Sequence, residues 1–362
     1  INAKRVYNAL MKNTKTLYGI EILRFISALA ILIWHYQHFY FLGDQDLVTE
    51  NQPFYDLFKL FYIYGFQGVN FFWCISGFIF FWKYADKVKS ISAYQFFKIR
   101  FARLYPLHFA TLIIVVILQY LYFIEMKEIF LNHKNDLYHF FLQIFMASYW
   151  GFEDGHSFNS AIWSISIEIL VYIFFYILLK IFGASTYINF FIIGICIILK
   201  ALLEYNAHVF FDCSLFFFVG GLIALNMEII NKIKFIKILT ILTIISTSAL
   251  VMKYQLFQIN NFPYVFQLFT YPLLLILFLD LEFKNKNLKK MLSVLGNLTY
   301  SSYLIHLPIQ IIICLIFINI EQTIPVEKKE FFILYISLVL FISYFSFKYY
   351  ESPIRDYLRK NM

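Results

Sequence analysis

His35 lies in a long apolar run, and an imidazole is the side chain best suited to moving a proton near neutral pH. Arg24 precedes it by close to three helical turns, so the two fall on nearly one helix face, about 16 Å apart along the axis. His35 is therefore a candidate general base. Its alternative role is structural, as a histidine hydrogen-bonded to a neighbouring helix. Glu21 precedes Arg24 by one turn and can pair with it. His35 and His38 have the spacing of a metal pair, yet no further ligands cluster nearby in the sequence, so no metal is expected. Glu168 ends the run Trp163-Ser-Ile-Ser-Ile-Glu168. It is placed at a depth similar to His35, where a carboxylate could orient the imidazole or raise its basicity. A third polar group, Asn297, Tyr300, Ser301, Ser302, Tyr303 and His306, interrupts another apolar run. Most of its members suit close helix packing, and Tyr303 and His306 stand as further site candidates. Arg100 and Arg103 share a face in the segment Phe96–Pro106, with aromatic residues between them. Such a face fits the phosphates and base of a nucleotide, and it also fits anionic lipid headgroups.

These residues need elements to hold them, and the composition names the class. Of 362 residues, 61% are hydrophobic and only 14% are charged. Soluble domains carry roughly 25% charged residues. The excess apolar residues come in runs of roughly 20, the length that crosses a bilayer as a helix. The expected fold is all-α and polytopic, with about ten transmembrane helices near 18–42, 57–82, 104–124, 161–181, 186–204, 209–227, 237–253, 263–281, 293–318 and 331–350. The apolar stretch 137–150 is too short to cross and is expected to be re-entrant or interfacial. Lys and Arg recur in alternate loops, as at Lys4, Arg5, Lys12 and Lys15, at Lys83 to Arg103, and at Arg355, Arg359 and Lys360. The first outward loop is acidic instead, with Asp44, Asp46, Glu50 and Asp56. The positive-inside bias then places both termini in the cytoplasm. The expected division is a cytoplasmic tail over 1–17, a membrane domain over 18–350 and a cytoplasmic tail over 351–362.

The chain begins at Ile1, and Met11 is a candidate start. The basic residues before the first apolar run resemble a signal peptide, but the run is long, holds Arg24 and lacks a small-residue cleavage site, so a retained span is expected. Cys74, Cys196, Cys213 and Cys314 form no CxxC pair and read as small buried hydrophobes. No internal repeat is present, which counts against a transporter built from inverted repeats.

Six segments, Glu21–His35, Gly68–Phe78, Arg100–Pro106, Trp163–Glu168, Gly296–Pro308 and Glu351–Pro353, occur together and in order. In these the chain resembles the acyltransferase 3 family of bacterial membrane O-acyltransferases. The resemblance implies a ten-span bundle in the bacterial cytoplasmic membrane. It implies an acyl-CoA donor, usually acetyl-CoA, bound on the cytoplasmic side. The acyl group would go to a hydroxyl of an extracytoplasmic or lipid-linked glycan. Membrane lipids are the surroundings, and no nucleic acid is involved. The family's essential His and Arg map onto His35 and Arg24, and its Arg pair onto Arg100 and Arg103. Asn70 stands where the family often has an acidic residue. Some relatives carry a soluble hydrolase-like domain after the last span, and here such a partner is expected to be a separate protein. On this reading Arg24, Arg100 and Arg103 hold CoA phosphates, while Ser76 and Gly77 let the pantetheine approach. His35 either deprotonates the acceptor hydroxyl or forms an acyl-histidine. A lipid or glycan transporter and a non-catalytic scaffold are the rival readings.

Overall fold

In lipid every backbone N–H and C=O must be satisfied within the chain, which leaves helices as the solution for runs of this length. The computed structural model describes residues 16–42, 47–132, 134–202, 205–254, 262–279 and 281–361, and among them there are helices and no strand. Lys4, Arg5, Lys12, Lys15, Asp44 and Asp46, used above for orientation, lie outside the described residues. Six helical stretches are long and apolar enough to cross a membrane: Tyr18–Tyr40, Tyr55–Tyr84, Ala93–Met126, Ser160–Phe182, Lys286–Asn319 and Lys329–Asn361. Four shorter apolar helices, Thr186–Leu202, Val209–Leu225, Ile236–Val251 and Phe262–Phe278, fall on the four remaining expected spans. Leu57, Leu60, Ile117 and Phe269 remain exposed on these helices, as side chains facing lipid would.

The chain forms two compact units. The first comprises Ile1–Arg24, Asn70–Ser92 and Leu170–Gly296. Its close-packed centre is aromatic, with Phe80 stacked on Tyr172 at 4.1 Å between ring centroids and edge-on to Phe217 at 5.5 Å. Two helices cross there with their backbones nearly touching. A Cβ on Gly77 would overlap the carbonyl oxygen of Phe217, and one on Gly220 would overlap that of Cys74. Lys200 and Tyr264 both bond the carboxylate of Asp212, so this charge is paired inside the unit.

The second unit comprises Phe25–Val69, Ala93–Ile169 and Asn297–Met362. The relevant elements are α1 (Tyr18–Trp34), α2 (Tyr55–Tyr64), α3 (Gly68–Tyr84), α4 (Ala93–Met126), α5 (Leu137–Ile144), α6 (Trp163–Phe182), α7 (Lys286–Asn319), α8 (Lys329–Ser346) and α9 (Ser352–Asn361). Several of these begin in one unit and end in the other.

Three local features depart from uninterrupted spans. The first expected span changes to a 3-10 helix at His35–Leu42. The span expected at 57–82 carries a 3-10 turn at Gly65–Gln67 between α2 and α3, where a Cβ on Gly65 would overlap the carbonyl oxygen of Ala30. A π-turn, Phe347–Glu351, joins α8 to α9. Residues 352–361, expected as a tail, are helical and pack on α4. Arg100 and Arg103, expected in a loop, lie within α4, which starts at Ala93.

The stretch expected to be re-entrant or interfacial forms α5 and a loop. Asp136 caps α5 by accepting the His139 N–H at 2.8 Å. The His139 ring is held between Asp136 and Asp154, at 2.8 Å from each. The bonds from the His139 backbone and ring hold the Asp136 carboxyl below its usual range, and the Lys134 ammonium does the same for Asp154. A carboxyl so lowered stabilises the fold above its ordinary value and ceases to do so as pH falls through the lowered one. Hydrogen exchange, corrected for intrinsic rates, should show Leu137–Ile144 losing protection below about pH 4. Asp136→Asn should reduce that loss and leave the part due to Asp154. A protection pattern indifferent to pH in both proteins would refute the clamp.

Candidate functional site

The 3-10 geometry explains how His35 and His38 come together. With 3.0 residues per turn, side chains three apart stack in a column. Tyr36 and Phe39 form one column, and His35 and His38 form another. The aromatic column is locked into α8: Tyr36 lies 5.1 Å from Phe332, and Phe39 lies 5.3 Å from Phe331 and 5.1 Å from Tyr335. The Tyr36 hydroxyl donates to the carbonyl of Val326 at 2.7 Å. Fixing that column fixes the histidine column.

His35 Nδ1 lies 3.1 Å from His38 Nε2, and His38 Nδ1 lies 3.1 Å from Gln310 Oε1. Gln310 Nε2 donates to the His35 carbonyl at 2.8 Å. The His306 ring tilts against His35 with centroids 4.6 Å apart, and Trp34 meets His35 edge-on at 4.8 Å. His306 and Gln310 are 2% and 0% exposed, whereas His35 keeps partial access. His35 Nε2 makes no hydrogen bond among the described residues. Beside the cluster, Tyr149 stacks on His156 at 5.5 Å and meets Trp163 at 5.5 Å.

Helix α7 is shaped for this role by Pro308. Proline has no N–H, so the carbonyl of Leu304 loses its intrahelical donor. The buried Asn159 amide donates to that carbonyl at 3.0 Å. The other polar residues of α7 also find partners: Ser301 donates to Glu351 at 2.7 Å, Tyr303 bonds Ser164 at 2.8 Å and Tyr300 bonds the Leu104 carbonyl. Glu351 and Arg103 both lie within electrostatic reach of the Tyr300 hydroxyl.

The remaining candidates distribute as follows. Glu168 lies near the Tyr303 hydroxyl. The hydrogen-bond partner of the His35 ring is His38, where the sequence pointed to Glu168. Arg24 is the last residue of the first segment of the first unit, 8% exposed and paired with Glu21 at 2.7 Å. In that unit Ser76 bonds the Tyr172 hydroxyl at 3.1 Å, the bare side of Gly77 is taken up by helix packing, and Asn70 donates to Gln267 at 2.8 Å. Among the described residues no group of three or more His, Cys, Asp or Glu side chains is arranged to hold a metal ion.

Residues 17–348 match the family model Acyl_transf_3, an acyltransferase domain. The chain belongs to the acyltransferase 3 family. No curated protein and no solved structure matches it. With its apolar helices, this member is a multi-pass membrane acyltransferase. Sequence reasoning passed over two buried groups bonded here, Gln310 and Asn159. Gln310 stands one turn after His306 in an apolar run, a signal as plain as that of the histidine. Asn159 sits in a loop and carries no such signal.

Asn159→Leu in the acyltransferase leaves the Leu304 carbonyl buried without a donor. The expected cost is about 1–3 kcal/mol, seen as a lowered Tm in detergent. An unchanged Tm would show that Pro308 is accommodated in another way.

Proposed function

We infer that the acyltransferase moves an acyl group, most simply acetyl, from cytoplasmic acyl-CoA to a hydroxyl of an extracytoplasmic or lipid-linked glycan, with His35 as general base. The observation that carries this reading is His35 itself, partly accessible among buried polar groups and with Nε2 uncommitted. Deprotonating the hydroxyl as it attacks the thioester carbonyl is work for a neutral imidazole. A pantetheine thioester is unreactive enough toward alcohols to need it.

The donor end of the same unit is supplied by α4. Arg100 and Arg103 present guanidinium groups that fork onto phosphate oxygens. Tyr300, which Arg103 approaches, lies six residues before His306 on α7, a rise of about 9 Å. An extended pantetheine arm covers that length, so phosphates held at α4 would leave the thioester within reach of the histidines. Arg24, assigned to the donor by the family resemblance, belongs to the other unit and is neutralised there by Glu21. The expected setting is the bacterial cytoplasmic membrane, with ten crossings and both termini on the cytoplasmic side.

Labelled acetyl-CoA supplied to membranes should label a cell-envelope glycan fraction with the wild-type protein. His35→Ala, at matched membrane expression, should lower that label by at least 10²-fold. Equal label in both would remove His35 from the chemistry. No label in either, with glycan still crossing the membrane, would favour a transporter.

A further inference from the structure

Gln310 is fully buried on α7 and divides its two amide atoms between two partners. Nε2 faces the carbonyl oxygen of His35, and Oε1 faces His38 Nδ1. A backbone carbonyl only accepts, so it must meet the NH2 end of the amide. The amide oxygen is thereby left to His38. It also only accepts, so His38 Nδ1 carries a hydrogen. A neutral His38 then has its lone pair on Nε2, which faces His35 Nδ1. The hydrogen of that bond must sit on His35 Nδ1. The lone pair of a neutral His35 is therefore on Nε2.

We propose that Gln310 and His38 are positioning residues that fix His35 in its Nδ1–H tautomer, so that Nε2 is bare toward the acceptor hydroxyl. This rests on the reading of His35 as the base. The hydroxyl proton passes to His35 Nε2 while the hydroxyl oxygen bonds the acyl carbon. The carbon–sulfur bond breaks, and the proton on Nε2 goes to the departing thiolate. Throughout, the His35 Nδ1–H stays bonded to His38 Nε2, which supports the transient imidazolium. A proton arriving on His38 Nε2 reverses the arrangement. Nε2 becomes a donor, His35 Nδ1 must accept, and the hydrogen of His35 moves to Nε2. One proton on either ring therefore disables the base. The titratable groups facing His35 are His38 on its own element, His306 on α7 and His156 in the loop before α6. Glu168 of α6 adds a carboxylate near Tyr303, three residues before His306.

The test uses the full chain purified in detergent. Nitrogen NMR of the wild type labelled with 15N-histidine reads the tautomers directly, with His35→Asn assigning the His35 signal. The expected result is Nδ1–H, Nε2-bare at His35, a form that free imidazoles in water disfavour. Nε2–H at His35 would overturn the proposal. Acetyl transfer from labelled acetyl-CoA to the glycan fraction supplies the second readout. Gln310→Met should lower kcat by 10- to 100-fold with KM for acetyl-CoA within about threefold. Gln310→Glu loses the bond to the His35 carbonyl but still accepts from His38 Nδ1, so it should retain several-fold more activity than Gln310→Met. Its carboxylate favours the protonated ring, so the rising limb of its pH profile should move up by about one unit. A merely structural Gln310 predicts the opposite, with Glu as damaging as Met and no shifted limb. If His35→Ala remains active, the base reading itself falls. If only His35→Ala is inactive and Gln310→Met turns over normally, the relay alone falls.

Discussion

A polar group inside an apolar helical bundle must find its partner within the protein. That constraint governs the second unit more than any other. Nearly every polar side chain on the central stretch of α7 has a bond that can be named: Ser301 to Glu351, Tyr303 to Ser164, Tyr300 to Leu104, and Gln310 to both His35 and His38. Each bond ties α7 to a different part of the unit. Leaving any of these groups unpaired would cost about 1–3 kcal/mol, so the set specifies one arrangement of helices. His35 has one ring nitrogen engaged and the other not, and unlike His108, whose unbonded Nδ1 is buried, it keeps partial access. An accessible ring nitrogen beside buried, bonded polar groups is the natural place for chemistry.

The backbone change at His35 makes this economical. Continuing α1 through residue 42 would spread residues 35, 36, 38 and 39 around the helix. The 3-10 turn aligns them into two columns, one aromatic and packed on α8, the other imidazole and directed to α7. The aromatic column does the anchoring on α8, while the histidine column packs toward α7. 3-10 turns are frequent at the ends of α-helices, and here the turn sets the geometry of the histidine pair.

Much of this was legible in the sequence. Composition and run length gave the helical membrane class, and the positions of all the apolar helices follow the expected spans. His35 stood out because bilayer interiors disfavour ionisable groups. The order of six short segments pointed to the family to which the chain belongs. What escaped was pairing. Gln310 lies 272 residues from His38, and no local periodicity connects them. Glu168 was matched to His35 by depth alone, and depth says nothing about which faces meet. Arg100 and Arg103 were assigned to a loop because charge counting ends a span where basic residues begin, whereas α4 continues through them. Gly77 was read as room for a ligand, but its missing side chain admits the neighbouring helix.

The account rests on His35 acting as a base and not as a carrier of the acyl group. Mixing the purified protein with acetyl-CoA labelled in the acetyl group, with no acceptor present, separates the two. The account predicts no label on the protein chain and no stoichiometric release of free CoA. A burst of one CoA per protein, with acetyl label on the chain that disappears in His35→Ala, would contradict it and make His35 the nucleophile.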